Sequence, residues 1–271
     1  MFDTNVIRGR CFQKGILLFL FFLLSIALII SWNTPATGYE SSIYESAPLL
    51  FWVILFSSAI AGIASVIVSI AKNELDQCYS WKVNFLIIYL CYTICLSLFI
   101  IRGYYMWWRG TVDPVFHIEW IKETIITSRV PNDLIYPIMH IYFSEIVLIA
   151  GIDPITLHKI MPVIFSILFI LYMYVFAKIV FSNTAEALLV TIIGCTIFRT
   201  DFYLTLIPNG LSSLLLPLAL FVFFKYLSQG RWVWAIPLTI LVILYPVFHP
   251  VPTIFIGLVF LTLWTPLIIQ N

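Results

Sequence analysis

The stretch GYYMWWRGTVDPVFHIEWIKETIITSRVPNDLIYPIMH, residues 103–140, is a polar island between two long blocks of hydrocarbon. Only 10% of the chain is charged, yet this window holds Arg109, Asp113, Glu119, Lys122, Glu123, Arg129 and Asp133, with His117 and His140. Ionisable groups are costly inside a membrane protein and tend to gather at functional surfaces. The island therefore marks the expected site, and the apolar blocks on either side decide the fold.

The chain as a whole is 62% apolar and 17% aromatic, with a mean hydropathy of +1.05. A soluble domain is roughly half apolar and about a quarter charged, so a soluble globule is excluded. Apolar segments near 15–32, 48–71, 84–101, 162–181, 184–200, 207–227, 233–248 and 251–269 are close to the roughly 20 residues a helix needs to cross a bilayer. None alternates apolar and polar residues in the manner of a membrane β-strand. The expected fold is all-α: a polytopic transmembrane helix bundle of about eight spans, carrying outer-face juxtamembrane amphipathic helices. Three stretches follow: 1–101 with three spans, 102–161 as the outer-face loop and juxtamembrane helices, and 162–271 as a five-span bundle.

Net charge is +1 and no basic run points to nucleic acid. Cys11, Cys78, Cys91, Cys95 and Cys195 show no metal-binding or CxxC spacing and read as small buried hydrophobes. Arg8, Arg10 and Lys14 before the first apolar run fit an uncleaved anchor with the N-terminus in the cytoplasm. Lys72 and Lys82 then flank an inside loop, and the third span delivers the island to the outer face of a cell membrane. The segment 134–150, LIYPIMHIYFSEIVLIA, is short and contains Pro137, His140 and Glu145. If it does not cross, Lys178, Lys225 and Arg231 all fall inside, as the positive-inside rule favours. It is expected to be a juxtamembrane helix, which also brings Asp201, Asn209 and His249 to the outer side.

Within the island, Asp113-Pro114 is a helix-start signal, with Asp as N-cap and Pro in the first helical position. Ile118, Ile121 and Ile125 then recur at helical spacing, predicting an amphipathic helix of about 14 residues suited to the membrane interface. Trp107, Trp108 and Trp120 fit an interfacial aromatic belt. Capping and anchoring alone would account for these residues. The functional alternative starts from Asp113 at a helix N-terminus, with His117 one turn on and Arg102 and Arg109 just before. A carboxylate base beside an anion-favouring helix end suits transfer from a phosphate-activated, lipid-held donor. The cationic groups would stabilise the departing phosphate.

These residues resemble the GT-C superfamily of membrane glycosyltransferases, prokaryotic polytopic type. The likeness is carried by VDPVFHIEWIKETIITSRVPNDLIYPIMHIY (112–142) and GIDPITLHKIMPVIFSILFILYMYVFAKIVF (151–181). TLIPNGLSSLLLPLALFVFF (205–224) and LYPVFHPVPTIF (244–255) add to it. Each motif is weak alone, and the set covers roughly residues 100–260. The resemblance implies a polyprenyl-phosphate-sugar donor, inverting transfer on the outer face, and an acid of the first large outer loop as base. That role maps onto Asp113, with His117 and Glu119 as catalytic neighbours. Arg102, Arg109, Tyr136, His140, Asp201 and His249 make up the expected substrate-binding set. Two departures stand in the sequence. An extra hairpin precedes the usual first span, and the chain ends at Asn271 after an apolar segment, which fits a fragment, a minimal core or an inactive relative.

No cofactor is indicated beyond the lipid-linked donor. Asp113, His117 and Glu119 have side-chain types that suit a divalent cation, but only the 113/117 pair shares a helical face. His140 is equally suited to contacting the donor or bonding a neighbouring backbone. Glu145 is expected to find a structural partner such as a tyrosine hydroxyl, Arg199 and Asp201 to form an outer-face ion pair, and His249 to cap a span. The rival readings are a transporter or lipid-handling protein and a non-catalytic scaffold with a second membrane subunit. Coupled transport would need ionisable or broken-helix sites near mid-membrane, and apart from Glu145 the spans offer almost none.

Overall fold

The structure is a computed structural model that describes residues 4–35, 47–71, 112–197 and 207–269. Among the described residues every regular element is a helix, so the all-α expectation holds. The helices are α1 (Thr4–Trp32), α2 (Leu49–Ala71), α3 (Val112–Thr127), α4 (Ile138–Ala150), α5 (Pro154–Val180), α6 (Thr184–Ile197), α7 (Pro208–Leu214), α8 (Leu216–Gln229), α9 (Trp232–Phe248) and α10 (Pro250–Ile269). They form two compact units, Met1–Trp108 with Asn183–Ile192 and Arg109–Ser182 with Ile193–Asn271. The segment 84–101, read as a span, lies outside the described residues.

In the first unit α1 and α2 pack as an antiparallel pair. Leu20, Leu24 and Ala27 of α1 meet Phe51, Trp52, Ile54 and Leu55 of α2. The outward faces are equally apolar, with Leu18, Phe19, Phe22 and Ile29 on α1 and Val53, Ile60 and Ile67 on α2 all exposed. A helix that is apolar all round is suited to lipid rather than water. By length and composition one described helix, Leu49–Val68, suffices alone to cross a membrane. The pair α7 and α8, bent by 41°, makes a second if counted as one span.

The second unit is built around α5, which packs against α3, α4, α7 and α8. Helix α9 lies against α8, α10, α4 and α7. Phe143, Phe169, Phe223, Ile121, Met139 and Leu157 are among its fully buried large side chains. The Phe223 and Phe260 rings stack at 4.1 Å, tying α8 to α10. The break between α7 and α8 has a local cause: Pro217 has no N–H for the helical ladder and its ring crowds the preceding turn. Tyr245 of α9 reaches that break, its hydroxyl donating to the Ser212 carbonyl at 3.0 Å. Tyr245→Phe should lower the stability of this unit by about 1 kcal/mol, the usual net worth of such a bond. A thermal-unfolding comparison in detergent checks it.

Helix ends follow their sequence signals. Helix α4 stops at Gly151, whose φ of 64° is the left-handed cap, its N–H bonding the Val147 carbonyl. Asp153 then caps α5 by accepting from the backbone of Ile155 at 2.9 Å and Thr156 at 3.0 Å, with Pro154 in the first turn. The Thr156 hydroxyl also donates to it, and these bonds hold the exposed Asp153 carboxyl below its ordinary range. Where α6 approaches α5, a Cβ built on Gly194 would sit 2.9 Å from the terminal carbon of Met173. Met is pliable, so Gly194→Ala should be tolerated, whereas Gly194→Leu should cost about 1–3 kcal/mol through overpacking. The same unfolding assay distinguishes the two.

Candidate functional site

Helix α3 runs from Val112 to Thr127, 16 residues, starting just ahead of the Asp-Pro signal. Asp113 and Pro114 therefore lie within its first turn, where acidic residues and proline are both well accommodated. One turn after Asp113, His117 is buried at 3% exposure. Ile118 and Ile121 are buried beside it, and Ser144 of α4 donates to the Ile121 carbonyl at 3.2 Å, fixing the α3–α4 contact.

His140 of α4 is fully buried, and its Nε2 lies 2.8 Å from Nδ1 of His117. Two residues singled out in the sequence, 23 positions apart, thus share one hydrogen bond. Trp120 packs edge-on against both rings, with centroids 5.3 Å from His117 and 5.5 Å from His140. A third imidazole, His158 of α5, is buried to the same degree as His117 and lies close enough to feel its charge. Three packed helices thus each bury one histidine, and the first two are joined by a hydrogen bond.

The electrostatics follow from burial. Desolvation, then the charge of neighbouring His117, lowers the His140 pKa from 6.5 to about 3, against a smaller opposite push from the Tyr136 backbone carbonyl. The same two causes, in the same order, lower His158 to about 4. Both rings are neutral near pH 7, so each offers one donor and one acceptor nitrogen.

The remaining predicted residues divide cleanly. Tyr136 and His249 meet, their rings 4.9 Å apart, which links the approach to α4 with the junction of α9 and α10. His249 caps the end of α9, its backbone N–H bonding the Tyr245 carbonyl at 3.0 Å, and its Nδ1 also accepts from the Val251 N–H at 3.2 Å at the start of α10. Glu119 points away from the histidines; it is exposed and paired with Lys122 at 2.8 Å. Two residues along a helix is a turn of about 200°, which separates Glu119 from His117. Arg102, Arg109, Arg199 and Asp201 lie outside the described residues. Glu145 is on the exposed face of α4 with Ile141 and Leu148, and no described side chain hydrogen-bonds it. The expected tyrosine partner is not found there. Among the described residues no group of three His, Cys, Asp or Glu side chains is arranged to hold a metal ion.

Sequence reasoning passed over His158. The sequence repeats a helix start, Asp113-Pro114 then His117 and Asp153-Pro154 then His158, each about one turn into its helix, which does not by itself separate His158 from a core histidine. Such a position faces the same way as the first buried turn. No known protein family matches the chain, and neither does any curated protein or solved structure.

Proposed function

We propose that the chain is a GT-C-like membrane glycosyltransferase that moves a sugar, with inversion, from a polyprenyl-phosphate donor to an acceptor on the outer face. In this reading Asp113 takes the proton of the acceptor hydroxyl, and His117 orients it or meets the departing phosphate. The observation that carries the reading is the buried His117–His140 pair one turn beyond Asp113. A polar constellation is costly to bury and is supported here by three separate helices. Arg102 and Arg109 complete the anion site, and Tyr136, His140, Asp201 and His249 complete the substrate-binding set.

The membrane part of the proposal is a bundle of about eight spans, N-terminus in the cytoplasm, with α3 and α4 lying at the outer interface. Helix α4 has 13 residues, about 20 Å at 1.5 Å per residue, too short for the roughly 30 Å hydrocarbon core. The apolar outer faces of α1 and α2 support the bilayer as solvent. The deciding assay offers purified, reconstituted protein a panel of polyprenyl-phosphate sugars. Transfer with any donor upholds the proposal, and its absence with all of them counts against it.

A second reading, a non-catalytic scaffold, is favoured by Glu145, a carboxylate amid the exposed apolar face of α4. Such a group at membrane depth calls for a cationic partner from another chain. Co-purification of a second membrane subunit that is lost with Glu145→Leu, in a protein without transferase activity, would favour it.

A further inference from the structure

Both ends of the second unit are polar, and only one of them belongs to the candidate site. Helix α5 carries His158 near its start and Lys178 in its last turn, a separation of about 30 Å at 1.5 Å per residue. Helix α9 has the same polarity: His249 at its end meets Tyr136, and Arg231 stands at its start. Phe176 of α5 and Phe224 of α8 meet at 5.9 Å, so the C-terminal ends of these two helices lie side by side. Lys178, Lys225 and Arg231 are therefore gathered at one end, roughly a hydrocarbon thickness from the histidines.

The turn between α8 and α9 holds its cations in place. Gly230, with a φ of 60°, ends α8, and Arg231 leads directly into α9. Trp234 is anchored to α8: its indole N–H donates to Gln229 Oε1 at 2.9 Å, and its ring meets Phe221 edge-on at 5.6 Å. The Lys225 ammonium lies 6.0 Å from the centroids of both rings, within reach of cation–π attraction. Arg231 is exposed. No Asp or Glu occurs from Phe202 to Asn271, so neither cation has an acidic neighbour along α8, α9 or α10. Beside Arg231 the surface is apolar: Trp232 is 83% exposed, and Val233 and Ile236 are exposed as well.

We infer that this turn binds the headgroup of an anionic phospholipid, its phosphate held by Arg231 and Lys225 together and its acyl chains lying along Trp232 and Ile236 of α9. The guanidinium fork of Arg231 suits two phosphate oxygens, and Lys225, steadied by two rings, has little freedom left to lose. A lipid is favoured over a soluble anion because the cations border a bare apolar helix face at the depth where headgroups lie. Tryptophan beside lysine and arginine is the ordinary make-up of a membrane interface. Each such cation favours acidic over neutral lipid by about fivefold. The inference rests on the membrane part of the proposed function and not on its sugar chemistry, and it holds for either face of the membrane.

Native mass spectrometry of the full chain in detergent micelles tests it, with phosphatidylglycerol and phosphatidylcholine of identical acyl chains titrated in turn. The wild type should hold one phosphatidylglycerol about twenty-five-fold more tightly than phosphatidylcholine, the product of two cations. Arg231→Gln and Lys225→Gln should each reduce that preference about fivefold, and the double variant should lose it. Arg231→Lys should keep most of it, and Lys122→Gln, on α3, should leave it unchanged. Equal affinity for the two lipids, or a preference that survives in the double variant, overturns the proposal. So does displacement of the lipid by millimolar glycerol phosphate, which would assign the turn to a soluble anion. If Lys225→Gln does not fold, Arg231→Gln, at an exposed turn, decides alone. A chain that stays dispersed in buffer without detergent would overturn the membrane reading itself, whereas one that needs detergent yet holds both lipids equally overturns this inference only.

Discussion

Asp113→Asn should abolish sugar transfer while leaving the protein folded in its membrane. A positioned general base contributes about a hundred- to ten-thousandfold to a rate, and an amide of the same shape cannot take the proton. Asn is as acceptable as Asp at a helix start, and Asp113 lies in the first turn of α3, so the helix should survive. The His117–His140 bond, one turn further along, provides the control: its NMR signature should be unchanged in the variant. Glu119→Gln supplies the contrast. Glu119 is exposed and bonded to Lys122, and such surface pairs contribute at most about 1 kcal/mol. That variant should transfer at nearly the wild-type rate. Full activity in Asp113→Asn would remove the base from the mechanism, and equal losses in both variants would show that general damage to α3 is responsible.

The contrast between Asp113 and Glu119 shows what the sequence could convey. Helical type was legible in the long apolar runs that the structure describes, because hydropathy and length together leave few alternatives to a helix. The start of α3 was legible from Asp113-Pro114, and the end of α4 from Gly151, since both signals are local to the backbone. Which ionisable residues would meet was much less legible. Glu119 sits in the same stretch as His117 yet leaves the cluster because of helical rotation alone. His140 joins it through the packing of α4 on α3, and His158 through that of α5, and neither contact leaves a trace in local pattern. His158 was hidden for a further reason. A single histidine at the mouth of a long apolar helix is indistinguishable in sequence from a satisfied core residue. Only its burial, within the electrostatic reach of His117, sets it apart. The pairing of Tyr136 with His249 is likewise a product of tertiary contact, although both residues had been singled out from sequence.

The same cluster should make the second unit labile to acid. His140 and His158 have pKa values lowered from 6.5 to about 3 and about 4, chiefly by burial. A group whose pKa is depressed in the folded state binds fewer protons there than in the unfolded chain. Its contribution is complete above pH 6.5 and is lost as pH falls toward the folded value. The window is therefore from pH 6.5 down to about 4 for His158 and about 3 for His140. Each group should remove about 1.4 kcal/mol of stability per pH unit within it. Glu119, Glu123, Asp133, Glu145 and Asp153 are all exposed and soften the loss little. Two imidazoles falling together give a slope near 3 kcal/mol per unit, a large share of the stability of an ordinary domain. Thermal unfolding in lipid nanodiscs across this range measures it, and His158→Leu should cut the slope by about half while leaving the His117–His140 bond in place. A wild type whose unfolding temperature is flat from pH 7 to 4 would mean that water or a counter-charge reaches the imidazoles. His140 and His158 would then lose their standing as neutral rings held in a dry core.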